Sequence, residues 1–212
     1  METTMFRGLY VRPGTYDEYV IKEIQGCYGM LDVYDKVVMD IGANIGAFTR
    51  WALAAGAGAV VGFEPLHSNY FMLKKNVGTI DMVSTFQRAI TSDGKPVELY
   101  YVPDGKNPGN TSTKIQRGRD HVTVQSTSFL TALSDHCPEV VKVDVEGSEY
   151  DWLHGNLPPC VKQVAVELHL TKKQWREVDA PRVIESFKDW DCLRQPKLTG
   201  GNWTTIGVWR RN

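Results

Sequence analysis

Four short apolar runs, each carrying an acid at or near its end, constrain this chain more than any other feature. They are Lys36-Val37-Val38-Met39-Asp40, Ala59-Val60-Val61-Gly62-Phe63-Glu64, Val140-Val141-Lys142-Val143-Asp144, and Val161 to Leu168 with Glu167 near its end. Valine-rich runs of this length read as strands buried on both faces, and such strands need helices to cover them. The first two are each followed by a segment of helical period. Ile45, Phe48, Ala52 and Ala55 share one face before Gly56 and Gly58; Leu66, Tyr70, Leu73 and Val77 do so before Gly78. Val83 to Ile90 reads as a third strand. The β-α-β-α-β alternation predicts an α/β fold, a parallel sheet with helices on both sides.

The remaining segments are less regular. Pro96 to Val102 and His121 to Gln125 read as strands flanking a polar loop over residues 103–120, and Phe129 to Leu133 as a short helix. A helix is expected from Gly147 to Leu153. Thr171 is placed to cap another, with Gln174 as its capping-box partner; Pro181 should interrupt it and Arg182 to Trp190 resume it. Trp203 to Arg210 reads as a closing strand after the Gly200-Gly201-Asn202 turn. Ahead of the sheet, Tyr16, Val20, Ile24 and Cys27 form one helical face. Residues 1–35 are therefore expected to be a helical segment that packs beside the first strand or lids the site.

The 212 residues suit one domain. Twenty-four Lys and Arg against 25 Asp and Glu leave a formal charge of −1, which lacks the basic excess of a generic polyanion binder and disfavours nucleic acid as a partner. Cys27, Cys137, Cys160 and Cys192 lie far apart with no C-x-x-C, so free thiols are expected rather than staples or a zinc site. The first residues carry no apolar signal-like core, and the longest uncharged stretch, Trp51 to Phe63, is too short to span a bilayer. A soluble, cytoplasmic protein with no membrane partner is expected.

In open parallel sheets, ligands bind beyond the carboxyl ends of the strands. Asp40, Glu64, Asp144 and Glu167 all fall there, where as mere sheet-edge residues they would repel. Asp40-x-Gly42-x-Asn44-x-Gly46 is a glycine-rich turn that lets backbone approach a ligand and aims helix N–H groups at it. Glu64, 24 residues on, is placed to accept from two ribose hydroxyls. A dinucleotide would want G-x-G-x-x-G, whereas Gly42 and Gly46 are four apart and a pyrophosphate would meet the acid at Asp40. An adenosine carrying a cationic group fits better.

Asp-Ile-Gly-Ala-Asn-Ile-Gly (40–46), Gly-Phe-Glu-Pro (62–65), Lys-Val-Asp-Val-Glu-Gly-Ser-Glu (142–149) and Val-Glu-Leu-His (166–169) together resemble the FkbM family of S-adenosylmethionine-dependent methyltransferases. Arg12-Pro13-Gly14-Thr15-x-Asp17-Glu18 is similar to that family's approach to its first strand, so the resemblance spans residues 12 to 170. It implies a Rossmann-like class I methyltransferase fold, a seven-stranded mostly parallel sheet with an antiparallel C-terminal strand, and S-adenosylmethionine as cofactor. It further implies that Asp40, Gly42, Ala43, Asn44 and Gly46 hold the methionine half, and that Glu64 and Pro65 hold the ribose. Gln87, Arg88 and Ala89 would sit by the adenine, with Asp144, Glu146 and Lys142 at the reaction centre.

Methyl transfer to a hydroxyl benefits from a base within hydrogen-bond reach. His169 shares a strand face with Glu167, which would orient it as a neutral base; Asp144 is the competing base. Asp144, Glu146, Glu167 and His169 could also hold a divalent cation, though the resemblance requires no metal. The polar loop from Asn107 to Arg119 suits a polyhydroxylated acceptor. The expected function is O-methylation of a carbohydrate or small natural product. The alternatives are RNA ribose 2′-O-methylation, partly echoed by Lys142, Asp144 and Glu167, or a non-catalytic cofactor-binding partner subunit. Nothing in the sequence assigns an oligomeric state.

Overall fold

The computed structural model describes residues 2–101, 112–114, 120–198 and 203–211. A hairpin of β1 (Thr4–Phe6) and β2 (Leu9–Val11) leads into α1 (Asp17–Tyr28). The sheet then begins with β3 (Val37–Ile41), α2 (Ala47–Ala54), β4 (Ala59–Phe63), α3 (His67–Val77) and β5 (Val83–Phe86). Next come β6 (Ala89–Thr91), β7 (Val97–Tyr101), β8 (Asp120–Val124), β9 (Ser126–Ser128), α4 (Phe129–His136), β10 (Val140–Val143), β11 (Gln163–His169), α5 (Ala180–Ser186), β12 (Asp191–Arg194) and β13 (Thr204–Arg210).

Seven strands form the main sheet in the order β12-β13-β11-β10-β3-β4-β5. The five from β11 to β5 run parallel, while β13 is antiparallel to both neighbours. The chain winds outward from β3 in one direction and resumes on its other side at β10. That reversal opens a crevice at the carboxyl ends of β3 and β10. The expected sheet architecture, with its antiparallel closing strand, is present.

Period-two alternation sorts the strands between two cores. Met39, Ile41, Val61, Phe63, Val141, Val143, Val164, Val166 and Leu168 face α4 and α5 in one cluster. Val38, Val60, Val140 and Ala165 face α1 and α2 in the other. The second face carries the polar residues, because Asp40, Lys142, Glu167 and His169 stand at even offsets from those small apolar ones. Register puts Lys142 opposite Asp40 on one neighbouring strand and Ala165 on the other.

Several local expectations are corrected. Residues 1–35 are not purely helical: Arg7 and Gly8 both have positive φ (47° and 81°), the geometry of a tight two-residue hairpin turn. Val83 to Ile90 is not one strand, because after Phe86 the chain leaves the sheet and Ala89–Thr91 pairs in parallel with Ser126–Ser128. β7 and β8 pair antiparallel as the expected strands; of the loop at 103–120, only residues 112–114 and 120 lie among those described. Gly147 to Leu153 forms one 3₁₀ turn, Glu149–Asp151, not an α-helix. There the Glu149 carboxylate accepts the Gly147 N–H at 2.8 Å, a local bond that competes with helical pairing. Gln174 rather than Thr171 stands at the N-cap of a π turn, Trp175–Asp179, and makes no side-chain cap bond. Pro181 lies in the first turn of α5, where its missing N–H is harmless, so the helix continues through it. The Gly200-Gly201-Asn202 turn lies outside the described residues. Among the described residues, no helix is long and apolar enough to cross a membrane.

The Lys142 ammonium is 3.2 Å from Asp40 with both side chains essentially sealed from solvent. Lys142→Met is therefore expected to cost about 3–5 kcal/mol, because it leaves the Asp40 charge buried without its partner. Adding Asp40→Asn should restore part of that loss. Urea unfolding of the single and double variants checks the pair, and a single variant within about 1 kcal/mol of the parent would contradict it.

Candidate active site

The turn after β3 is fixed from several sides. Gly42 and Ala43 both donate to the Phe63 carbonyl, at 3.0 and 2.9 Å, locking the turn against β4. Gly42 has φ +78°, and a Cβ there would lie 1.8 Å from the Asp144 carbonyl oxygen, so β3 and β10 approach this closely only through glycine. Asn44 also has positive φ (52°), which aims its N–H at Glu64 Oε2 at 2.8 Å. Among the described residues, the buried Asn44 Oδ1 has no hydrogen-bond partner. Glu64 is buried, and its other oxygen accepts from Leu66 N at 2.9 Å. Burial pushes its pKa up to about 7, against the opposing pull of the Leu66 and Asn44 amides and of Lys142.

Across the crevice, Lys142 donates to the Gly42 carbonyl at 2.8 Å and lies 3.7 Å from Asp144. Burial disfavours its charge, yet Asp40 and Asp144 more than compensate and raise its pKa. Asp40 is fully buried, with Oδ2 accepting from Thr49 Oγ1 at 2.7 Å. It sits beneath the crevice as the counter-ion of Lys142.

The His169 ring lies among three carboxylates. Its Nδ1 lies 3.2 Å from Glu149 Oε1, and its Nε2 lies 3.3 Å from Glu146 and 4.0 Å from Asp144. Glu149 is fully buried and also accepts the His169 backbone N–H at 3.1 Å. Burial alone would lower the imidazole pKa, but Glu146 and Glu149 outweigh it and hold the value well above 6.5. With carboxylates facing both ring nitrogens, the surroundings of His169 favour the imidazolium over the neutral ring that the sequence led us to expect. Its orienting partner is Glu149, not Glu167, which hydrogen-bonds Thr204 instead. Burial raises Glu146 to about 7 against the pull of His169, and burial with the nearby Asp144 raises Glu167 to about 7.

Two adjoining cavities result. The first, of about 290 Å³, is walled by α1 through Tyr16, Tyr19, Val20, Glu23, Ile24 and Tyr28, and floored by Lys142, Asp144, Glu146, Glu167 and His169. The second, of about 50 Å³, lies between Glu64, Pro65, Asn69, Ala89 and Leu99. They share Gly42, Asn44, Asp144 and Glu146. Helix α1 therefore both packs on the sheet and walls the site.

Most sequence-predicted residues converge here. Gly46 stands one turn further on, as the left-handed N-cap of α2. Gln87 and Arg88 do not join them: both are exposed, Gln87 beside His67 at 3.4 Å and Arg88 donating to the Ser126 carbonyl at 3.2 Å. Among the described residues, no three His, Cys, Asp or Glu side chains are arranged to hold a metal ion; both ring nitrogens of His169 already face carboxylates. Sequence reasoning gave Glu149 no role, although it closes the Lys-Val-Asp-Val-Glu-Gly-Ser-Glu run at 142–149. It also missed Trp203, exposed at the cleft wall.

Glu64, Glu146, Glu167 and His169 all bind protons more tightly folded than unfolded, so the native state takes up protons and stability falls as pH rises. For the glutamates the loss runs from their ordinary 4.5 to about 7. The contribution of His169 is complete below 6.5 and disappears as pH climbs through its higher folded value. The urea midpoint should therefore fall on going from about pH 5 to about pH 8, less steeply in Glu167→Gln. NMR of the imidazole should show His169 protonated at neutral pH and its pKa lowered by Glu149→Gln.

Residues 40–193 match the methyltransferase FkbM domain. No curated protein matches the chain by sequence. Among solved structures, a ribosomal protein L11 methylase from Lactobacillus delbrueckii subsp. bulgaricus is 12% identical with a TM-score of 0.50, over 92% of this chain and 81% of that one. The magnesium protoporphyrin IX methyltransferase of Synechocystis PCC 6803, solved with bound S-adenosylmethionine, is 11% identical with a TM-score of 0.46, over 92% and 77%. Such distant likenesses speak to the fold only. With most of its length, including the glycine turn and all four acidic strand ends, inside the family match, the chain belongs to the FkbM methyltransferases and uses S-adenosylmethionine as its methyl donor.

Proposed function

We propose that this enzyme methylates a hydroxyl of a carbohydrate or other small polar acceptor held in the first cavity, with Glu146 as general base. The observation that carries this is the meeting of the two cavities at Asp144 and Glu146. The second cavity presents groups that suit a ribose: a glycine that admits close approach, the unpartnered Asn44 Oδ1, and a buried carboxylate in Glu64. When bound, S-adenosylmethionine supplies an electrophilic methyl on a cationic sulfonium. Asp144 and Glu146 give that end of the site a negative field, and α1 shields it from water.

Proton removal falls to Glu146 rather than His169. A base works best with a pKa near the working pH, and Glu146 is pushed up to about 7. His169, held by Glu149 through Nδ1, lies 3.3 Å from Glu146 through Nε2 and acts as its ion-pair partner. Asp144 is tied to Lys142 and serves to position the acceptor.

The charge of the first cavity selects its acceptor. Glu23, Asp144, Glu146 and Glu167 line it, whereas its cations, Lys142 and His169, are each held by an internal carboxylate, Asp40 and Glu149. That field disfavours phosphate, which counts against an RNA acceptor. The exposed rings of Tyr16, Tyr19 and Trp203 instead offer apolar faces to a sugar. Free cysteines, with Cys137 and Cys192 exposed, suit a reducing compartment such as the cytoplasm.

Calorimetric titration should show binding of S-adenosylmethionine and S-adenosylhomocysteine but not NAD⁺, and loss of both in Glu64→Ala. Transfer of labelled methyl to neutral glycans and small polyols, but not to short RNAs, is the expected pattern; labelling of RNA ribose would overturn the acceptor assignment. Turnover should rise with pH through about 7, as Glu146 loses its proton. Glu146→Gln should lower it about 10²–10⁴-fold while cofactor binding persists.

A further inference from the structure

Helix α3 carries two asparagines seven residues apart, Asn69 and Asn76, and each faces both ways. On one side Asn69 accepts from Arg12 Nη2 at 2.9 Å; on the other it hydrogen-bonds Glu64. Asn76 pairs with Tyr10 in the hairpin, accepting its N–H at 2.7 Å and donating to its carbonyl at 3.1 Å. The same amide donates to the Ile45 carbonyl in the glycine turn at 2.8 Å. Two turns of one helix thus clasp the N-terminal segment to the turn and to the carboxylate of the cofactor cavity.

Arg12 completes the clasp. Its backbone N–H and Nε both donate to Asp17 Oδ2 at 2.9 Å, and Nη2 donates to Asp17 Oδ1 at 2.7 Å. Asp17 is the first residue of α1, and Thr15 fixes the intervening turn by donating to the Arg12 carbonyl at 2.9 Å. Arg12, Asp17, Asn69 and Glu64 are all buried, and neither Arg12 nor Asp17 lines either cavity. A charged network of this kind, away from the reacting atoms, is costly to bury unless every member is satisfied, and it specifies one arrangement. The helix it anchors supplies Tyr16, Tyr19, Glu23 and Tyr28 to the wall of the first cavity.

We propose that Arg12, Asn69 and Asn76 are positioning residues that couple the two cavities: engagement of Glu64 and the glycine turn by the cofactor is transmitted through α3 and stiffens α1, the wall of the acceptor cavity. This rests on the reading that Glu64 holds the cofactor. It makes cofactor and acceptor bind with positive cooperativity. By linkage it also requires that loosening α1 weakens the cofactor in turn.

The test is amide hydrogen exchange of the full chain with and without S-adenosylhomocysteine. In the parent protein, saturating cofactor product should slow exchange over residues 17–28, in α1, by about fivefold or more. Unchanged exchange there, with binding confirmed by calorimetry, overturns the coupling, and this arm needs no variant. Arg12→Lys keeps a cation beside Asp17 but cannot fork to Asp17 and Asn69 together. It should still bind the product, about fivefold or more weaker, with the α1 response lost. Asn76→Ala should blunt the same response. A folded Arg12→Lys with undiminished response overturns the role of Arg12. Undiminished product binding by Glu64→Gln would instead sink the underlying cofactor assignment, and so is distinguishable from failure of the coupling.

Discussion

The buried Lys142 ammonium is the interaction on which the site depends. It sits on β10, opposite Asp40 on β3, and reaches up to the Gly42 carbonyl and towards Asp144. One cation therefore contacts both strands that flank the crevice, the glycine turn after β3, and the acid at the tip of β10. Its placement follows from register alone: with period two, residues 40 and 142 face the same side of the sheet wherever β3 and β10 pair this way. An ion pair so deep is weak evidence for net stability, since apolar residues of equal volume would pack there at less desolvation cost. Its retention makes sense as specification of geometry, because an apolar replacement could not hold the Gly42 carbonyl or the Asp144 carboxylate.

Above that fixed pair, the site holds more carboxylates than cations, and proton sharing resolves the conflict. Glu149 and Glu146 bracket His169 and favour its protonated form although the ring is buried. Burial first, and neighbouring acids second, push Glu146 and Glu167 up to about 7. Groups pushed to values near neutrality are cheap to protonate or deprotonate, which is what a proton acceptor in catalysis requires. A site assembled only for stability would have paired these charges singly. The surplus of acid at one end of the crevice gives it a field that favours a positive centre.

How far the sequence revealed this depended on whether the signal was local. The β-branched runs ending in Asp40, Glu64 and Asp144 disclosed the parallel sheet, and the Gly42 turn disclosed which strand end binds a ligand, because each sets its own geometry within a few residues. The charge state of His169 was not local: it depends on Glu149, which lies twenty residues earlier and enters a buried turn instead of the expected helix. Arg88 looked like a cofactor residue by position after the third strand, yet the chain departs from the sheet at Gln87 and carries its side chain away. The β1–β2 hairpin was too short for its alternation to register. The pairing of Asn69 and Asn76 with the N-terminal segment was invisible for the same reason as Glu149, since side-chain bonds across more than fifty residues leave no periodic trace.

Those long-range bonds also explain how the first cavity is walled. Its floor comes from the sheet, through Lys142, Asp144, Glu146, Glu167 and His169, and one wall from α1. Helix α1 has no basic residue in its last turn and no side-chain cap at its start. Its position is held by the Tyr28–Phe48 ring contact at 5.0 Å at one end and by Arg12 and Asp17 at the other. Packing of rings is tolerant of small rotations, whereas a forked guanidinium–carboxylate pair fixes direction. The buried pair therefore sets the angle at which Tyr19 and Glu23 meet the cleft, and does so through a helix, α3, that the cofactor cavity itself touches. The wall of the first cavity is thus built from a segment that precedes the sheet in sequence and is tied to α3 and the glycine turn through side chains.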